Sequence, residues 1–395
     1  MTEGRPPLEI MQCKFFALAV AVSILTPKAV TLIVIIAAIF FLYLIFRTGM
    51  KVFKDTLVLM FFSAICIWMA TTSLWAVYPL QGLEVAIKVA GIVAAGWICF
   101  QMAGLSQVKK AALEFPLYIG AGVGVIGIVS AMLYALITDD SLWGSFFNDP
   151  LTTLNNSAVI LALLLWPFAW LLWGRSRPLA GVTVGIWFVI LFCLSSLAAV
   201  FSIFIGIFTL LMCRFGGRTG GIITAGAVAM ILILAPYIVK VSHLDFFANP
   251  RVFQSQSMVP NSVMHRFAMW SFATEKIDEN PWFGWGVGSS RHIPQNDRRV
   301  AKNMEIMPLH PHNMALQIRL ELGVPGILLF SGLAFLILYK LATFSDNVWK
   351  CGVASATAVS WLFVANVSFG IWQSWWIATA FALAALTRIV IVQEK

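Results

Sequence analysis

Residues 221–239 read GIITAGAVAMILILAPYIV, nineteen positions without a charged side chain. A helix needs about 20 mostly apolar residues to cross the hydrocarbon core of a bilayer, and a run this long satisfies its backbone in lipid only as a helix. The residues show none of the polar and apolar alternation of a barrel strand. The stretch therefore predicts a membrane-spanning helix.

Similar runs fill most of the chain. Of its 395 residues 60% are hydrophobic and 11% are charged, which excludes an ordinary soluble domain. We predict an all-α polytopic membrane protein with about twelve spans, at residues 14–27, 29–46, 55–77, 82–104, 113–137, 157–173, 179–195, 196–213, 221–239, 325–341, 348–369 and 371–392. The first run is short enough for a signal peptide, but the turn at residues 26–28, which leads straight into the second run, favours a helical hairpin.

Basic residues in the short connections indicate the topology, since Lys and Arg accumulate on the cytoplasmic side. Alternate connections and the C-terminus carry them: Arg47, Lys51, Lys54, Lys109, Lys110, Arg175, Arg177, Arg214, Arg218, Lys340, Lys350, Arg388 and Lys395. The short connections on the other side hold only Lys28. Both termini are thus expected in the cytoplasm. These signals also explain the formal charge of +9 without a nucleic-acid partner.

A polar stretch from Lys240 to Glu321 interrupts the apolar runs. It contains all five histidines, nine of the 26 Lys and Arg residues and seven of the 17 acidic residues. The chain is thereby divided into residues 1–239 with nine spans, an outward loop at residues 240–324, and residues 325–395 with three spans. We expect the chemistry of the protein to lie in the loop.

Two helices are predicted in the loop. The first runs from Ser262, as its N-cap, to Glu279, and its apolar spacing places it on the membrane surface or on the bundle. The second runs from Asn313 to Gly323, and Pro325 then opens the next span.

A glycine-rich segment, residues 283–290 (FGWGVGSS), follows the first helix. Its spacing is neither a dinucleotide fingerprint nor a P-loop. A hinge or close backbone packing is therefore favoured over a phosphate cradle.

Basic and imidazole side chains lie between the two helices: Arg291, His292, Arg298, Arg299, Lys302, His310 and His312. At the mouth of a membrane bundle, the anions that such residues meet are lipid phosphates. A metal site is disfavoured, because the nearest acids, Asp297 and Glu305, supply no third ligand at a familiar zinc spacing. The six cysteines form no close pairs, which argues against a disulfide framework. An acid or base near neutral pH is the better use of the imidazoles.

A second outward segment, residues 138–156, carries the polar residues Asp139, Asp140, Asp149, Asn155 and Asn156. They can form one wall of an outward-facing site. The alternative is a turn with Asn156 or Ser157 as a helix cap.

The order of motifs in the loop resembles the O-antigen ligase and polymerase superfamily, multi-span bacterial inner-membrane proteins of the GT-C-like type. The residues that carry the resemblance are Arg266 and Trp270, then 281–288, then 310–313, then 321–326. It covers the loop closely and the rest of the chain by topology.

The resemblance implies a glycosyltransferase that moves a glycan from undecaprenyl diphosphate to an acceptor on the periplasmic side, with inversion and without metal or cofactor. The acceptor is a lipid A core in ligases and a lipid-linked repeat in polymerases. It implies His312 as the base and Arg266 as the catalytic diphosphate ligand. The substrate-binding residues would be His310, Arg291, Arg319, Arg298, Arg299 and Asn313.

One position departs from the family pattern. Many members carry an arginine after a serine at the outer start of the eighth span, where this chain reads SSLAA at residues 195–199. Another base must then replace it, or the donor is held differently.

Three alternatives to the ligase remain at this point. A polymerase would change glycan length instead of attachment. A transporter of lipid-linked glycans predicts a charged cavity within the spans, and a scaffold subunit predicts that Arg266 and His312 are dispensable. Alternatively, Arg266 simply pairs with Glu275, Asp278 or a lipid phosphate, and His312 caps the next helix.

Overall fold

The computed structural model describes residues 19–48, 55–104, 110–138, 150–194, 196–242, 261–295, 299–301 and 304–392. The helices are α1 (Val30–Thr48), α2 (Thr56–Thr72), α3 (Pro79–Ala103), α4 (Lys110–Thr138), α5 (Pro150–Trp173), α6 (Arg177–Cys193), α7 (Leu197–Val241), α8 (Asn261–Glu279), α9 (Met314–Thr343), α10 (Val348–Ala365) and α11 (Ser374–Thr387). A short antiparallel pair, β1 (Arg299–Ala301) and β2 (Met304–Glu305), is the only sheet among these residues. The chain is an all-α polytopic membrane protein, as predicted.

Nine of the described helices are long and apolar enough to cross a membrane. One of them, α7, contains two predicted spans, because Gly217 (φ 57°) interrupts it. A Cβ at Gly220 would lie 2.0 Å from the carbonyl oxygen of Met212, which shows that the chain folds back there. With this hairpin and the shorter apolar helix α6, the described helices match the predicted spans from the second onward. The first span is helical at residues 19–25, and residues 14–18 of it lie outside the described residues.

The helices expose apolar residues on their outward faces. In α1, Leu32, Ile36, Ile39 and Tyr43 lie three or four residues apart and are 53–62% exposed. Residues on the opposite face, such as Val34, are buried against the bundle. Exposure of these apolar side chains to water would be unfavourable. They form the surface that lipid covers.

Helix α5 runs through the centre of the bundle, where residues 158–165 are all buried. It begins at Pro150, whose fixed φ suits a first helical position. Asn155, Asn156 and Ser157 therefore lie inside the helix, and the prediction of a cap at Asn156 or Ser157 was wrong. The acidic residues 139, 140 and 149 of the predicted wall lie outside the described residues.

Helix α8 packs on the bundle, against α7 and α9. It buries Met264, Ala268, Phe272 and Ile277, which are four or five residues apart and belong to one broad buried face. The helix begins at Asn261, so Ser262 lies inside it and does not precede it as a cap. This packing places the polar face of α8 beside the segment that contains the paired histidines.

Helix α9 crosses the predicted boundary at residue 324 with a bend. Gly323 has φ 68° and ψ −157°, which separates residues 314–322 from the apolar residues that follow. A break at Gly323 before Pro325 was predicted, and the structure has it there. We call residues 314–322 the outer half of α9 and residues 324–343 its inner half.

Candidate functional site

The backbone at His312 is unusual, and its neighbours hold it in place. Its φ is 52°, in the left-handed region that residues with a Cβ adopt at a cost of about 1 kcal/mol or more. Trp270 on α8 donates from Nε1 to the carbonyl oxygen of Pro311 at 2.8 Å. Nδ1 of His312 hydrogen-bonds the carbonyl oxygen of Ser368, in the connection between α10 and α11. These contacts from α8 and from the connection between α10 and α11 determine where the imidazole lies.

The bond to Ser368 determines the tautomer of His312. A carbonyl oxygen only accepts, so Nδ1 must carry the proton and Nε2 keeps its lone pair. Among the described residues, Nε2 has no hydrogen-bond partner. Burial lowers the pKa of His312; the Ser368 bond raises it, and the charges of Arg266 and His265 lower it further. A neutral imidazole with a free Nε2 has the lone pair that a general base needs at neutral pH.

His310 is a different kind of imidazole. Its Nδ1 accepts the backbone N–H of His312 at 3.2 Å, and a Cβ on Gly370 would lie 2.7 Å from its ring. The ring is buried, and burial, with smaller effects of His312 and Arg291, lowers its pKa to about 3. His310 therefore stays neutral and holds the turn that positions His312, with ring centroids 4.2 Å apart.

Two arginines act on this pair. Arg266, on the first turns of α8, is half-buried, and its charge lowers the pKa of His312. Arg291 is exposed and its charge lowers the pKa of His310. Within the described part of the chain, Arg266 forms no ion pair with an acidic residue. Asp278, one of its two expected acidic partners, pairs with Lys240 at 2.5 Å instead. A half-buried guanidinium without an acidic partner is available to an anionic ligand.

The other predicted site residues are less directly placed. Asn313 is buried and its Oδ1 accepts the N–H of Leu316 at 3.0 Å, which caps α9. Arg319 donates to the carbonyl oxygen of Pro281 and ties α9 to the end of α8. Arg299 lies in β1, and Arg298 lies outside the described residues.

The glycine-rich segment packs closely against the bend of α9. Gly284, Gly286 and Gly288 all have positive φ, and the N–H groups of Trp285 and Gly286 donate to Leu320 and Glu321 at 2.9 Å. Two roles were predicted for this segment, a hinge or close backbone packing. The structure shows the close backbone packing. The N–H of Gly288 donates to the carboxylate of Glu321 at 2.5 Å, so it does not face a phosphate.

Sequence reasoning missed the connection between α10 and α11, residues 366–373. It supplies the Ser368 carbonyl and Gly370, and the amide of Gln373 lies 3.4 Å from Nε2 of His310. It also missed Glu321 as a contact residue. A carboxylate in an apolar helix just before a Gly-x-Pro break was the signal available for Glu321, whereas a backbone carbonyl leaves no signal in the sequence.

The start of the eighth predicted span has no arginine, and the structure shows what is there instead. Ser196 donates to Oδ1 of Asn155 at 2.5 Å, from the residue before α7 to the second turn of α5. Among the described residues, no group of three or more His, Cys, Asp or Glu side chains is arranged to hold a metal ion.

The fold and site together define a multi-pass membrane protein with a His and Arg site built where its large loop meets the ends of its helices. Residues 150–331 match the family model described as O-antigen ligase. A candidate polysaccharide ligase of Rickettsia prowazekii is 26% identical over 348 residues, which is 82% of this chain and 78% of that protein. One of Rickettsia conorii is 32% identical over 134 residues. That segment is 33% of this chain and only 32% of the relative's length. The chain is therefore similar to the O-antigen ligase superfamily, to its family model over residues 150–331 and to one relative over most of its length.

Proposed function

We propose that this protein is an O-antigen ligase-type glycosyltransferase. It transfers a glycan from undecaprenyl diphosphate to a sugar hydroxyl of a lipid A core, at the periplasmic face of a bacterial inner membrane, with both termini in the cytoplasm. One observation carries the proposal. His312, with its proton fixed on Nδ1 by Ser368, lies within the field of a half-buried arginine that has no acidic partner among the described residues.

The chemistry assigned to His312 is proton abstraction. Nε2 takes the proton of the acceptor hydroxyl as its oxygen attacks the anomeric carbon of the donor sugar. The bond from that carbon to the diphosphate oxygen breaks, and the diphosphate leaves with the bonding electron pair. One displacement of this kind inverts the anomeric centre and requires no metal or cofactor.

The chemistry assigned to Arg266 is charge stabilisation. Negative charge grows on the diphosphate as the glycosidic bond breaks, and a guanidinium can bind it through two parallel N–H groups. Burial lowers the pKa of Arg266, yet a guanidinium remains charged at neutral pH. We assign Arg291 as the second cation, in place of the arginine missing at the eighth span. His310, Arg298, Arg299, Arg319 and Asn313 stay in the proposal as residues that hold substrate or shape its site.

The experiment is a transfer assay with purified protein, the lipid-linked glycan and a lipid A core acceptor. We expect His312→Ala and Arg266→Ala each to reduce the transfer rate by about 10²-fold or more. His292→Ala is the matched control, because that ring packs on Tyr78 and hydrogen-bonds Gln81 at 3.0 Å, away from Ser368. Its rate should stay within a few fold of wild type.

Three outcomes would contradict the proposal. If His312→Ala transferred glycan at the wild-type rate, His312 would not be the base. Longer lipid-linked chains without attachment to lipid A core would indicate a polymerase. Movement of the donor across liposomes with no new glycosidic bond would indicate a transporter.

A further inference from the structure

Glu321 has no part in the proposed chemistry, yet four donors converge on its carboxylate. It lies in the outer half of α9 and is completely buried. Oε2 accepts from the backbone N–H of Gly288 at 2.5 Å and from Nε1 of Trp372 at 2.6 Å. Oε1 accepts from Oγ of Ser290 and from Nε2 of Gln317 at 3.2 Å. Four donors fill the acceptor positions that a carboxylate offers.

Two of these donors belong to the segment that carries Arg291. Gly288 and Ser290 come just before it, and Gly286 adds a backbone bond to the carbonyl oxygen of Glu321 at 2.9 Å. The same segment is fixed at its far side, where Oγ of Ser289 accepts the N–H of Val77 at 3.0 Å. We call the bonds from Gly288 and Ser290 the cation arm, because they fix the position of the backbone directly before Arg291, whose guanidinium is the second cation of the proposal.

The other two donors lead to the connection that holds the histidines. Trp372 lies in it, and Gln317 accepts the N–H of Ile371 at 3.0 Å through Oε1 while donating to Glu321 through Nε2. Ser368, whose carbonyl oxygen fixes the tautomer of His312, lies a few residues earlier in this connection. We call the bonds from Trp372 and Gln317 the base arm.

We propose that Glu321 is a positioning residue that holds the cation arm and the base arm at a fixed distance from each other. The kinetic consequences of this inference rest on the proposed function. A carboxylate suits this position because all four neighbours donate. A glutamine of the same shape keeps one acceptor oxygen and presents N–H groups to donors, so both arms should loosen.

The kinetic test separates the arms. Ser290→Ala removes one bond of the cation arm, and we expect the KM for the lipid-linked donor to rise about 5-fold or more with kcat within 2-fold. Trp372→Phe removes one bond of the base arm, and we expect kcat to fall about 10-fold with KM within 2-fold. Glu321→Gln should change both constants, and Glu321→Asp should restore part of each.

Two matched variants control for general damage. Trp166→Phe removes a buried indole N–H that bonds Ser360 at 3.0 Å in the middle of the bundle. Ser331→Ala removes a buried hydroxyl that bonds its own helix at Ile327. Both should keep wild-type kcat and KM. If Ser290→Ala and Trp372→Phe change kcat and KM in the same proportion, or Glu321→Gln behaves as wild type, the inference is wrong.

Hydrogen exchange tests the positioning without any assay of transfer. Glu321→Gln should speed amide exchange in residues 284–292 and 366–373 together, Ser290→Ala in the first segment alone, and Trp372→Phe in the second alone. Unchanged exchange in Glu321→Gln overturns the inference even if transfer is active. The expected exchange pattern in a protein that transfers nothing would leave the coupling standing and overturn the proposed function. If Glu321→Gln does not fold, the two single-arm variants decide the matter.

Discussion

The two halves of α9 belong to one helix but differ in their polar residues and in their surroundings. In the outer half every residue except Arg319 is buried, and its polar residues Gln317 and Glu321 bond to other segments of the site. In the inner half, Leu328, Phe335 and Tyr339 are 38–51% exposed, on the surface that lipid covers. The residue between them is Gly323.

The difference shows how a membrane bundle can build a polar site without placing charge in lipid. The outer half is covered by the glycine-rich segment, α8 and the connection at residues 366–373. Polar side chains there replace water with protein donors and acceptors, which is the condition for burying them. Four variant sets can break or sharpen this contrast.

The largest effect is expected at the bend itself. A Cβ at Gly323 would lie 2.1 Å from the carbonyl oxygen of Trp282, and φ 68° strains any residue that has one. We expect Gly323→Ala to destabilise the protein by more than about 4 kcal/mol and to abolish transfer. Thermal unfolding in detergent and the transfer assay measure both.

Gly217→Ala is the matched control for the bend. Its φ of 57° is similar, but no atom lies within 4 Å of the added Cβ. Only strain of about 1–3 kcal/mol applies there, and transfer should persist. Equal loss in both variants would show that the left-handed conformation, and not the packing against Trp282, is what matters.

Much of this architecture could be predicted from the sequence, for a physical reason. Spanning segments are set by local apolar length, so the spans from the second onward appeared at their places, and the Gly-x-Pro pattern indicated the bend at Gly323. The start of α5 was missed because a helix that begins at Pro150 can extend through polar residues that composition assigns to a loop. The short β1 and β2 pair was also missed.

The second prediction compares leucines on the two sides of the bend. Leu320 is completely buried in the core beneath α8, whereas Leu328 is 51% exposed. We expect Leu320→Ala to cost about 2–5 kcal/mol of unfolding free energy and Leu328→Ala less than about 1 kcal/mol. Unfolding by denaturant in detergent measures the pair. A similar loss in both would mean that the inner half is covered by protein and not by lipid.

The site was only partly predictable. Arg266 and His312 were identified through the family resemblance, with His310 and Arg291 as secondary candidates. In the structure Arg266 is close enough to His312, and Arg291 to His310, to lower the pKa of each imidazole. The carbonyl of Ser368 could not be found, because any residue supplies one and its partner is 56 positions away. Trp372 was predicted as part of a span, because its indole N–H meets its hydrogen-bond partner only in the folded chain.

The third prediction concerns acid and His310. Its folded pKa, about 3, is below the ordinary value of 6.5. The unfolded chain therefore binds a proton below pH 6.5 that the folded chain does not, so stability is full above that pH and declines as pH falls toward 3. Between pH 6.5 and 5 the loss from this one group is about 2 kcal/mol.

His310→Asn removes this titration while keeping an acceptor near Nδ1. The variant should be less stable than wild type at pH 7.5 but should lose less on going to pH 5, as measured by thermal unfolding at both values. His292→Asn serves as the control, because that ring is only partly buried and should leave the acid sensitivity in place. An unchanged pH dependence in His310→Asn would assign the sensitivity to other groups.

The smallest expected effect is a shift in the acidic limb of the curve of transfer rate against pH. In the proposed mechanism His312 is a base only when neutral, so we expect transfer to fall as pH drops through its pKa, which burial and the charge of Arg266 hold below the ordinary value. Removing that charge must raise the pKa. Arg266→Gln should therefore move the limb to higher pH, in addition to lowering the rate, whereas Arg266→Lys should lower the rate and leave the limb in place. Arg218→Gln, which breaks an exposed pair with Asp346 near the bend of α7, should change neither. A limb at the same pH in Arg266→Gln and wild type would show that the arginine and the base do not share one site.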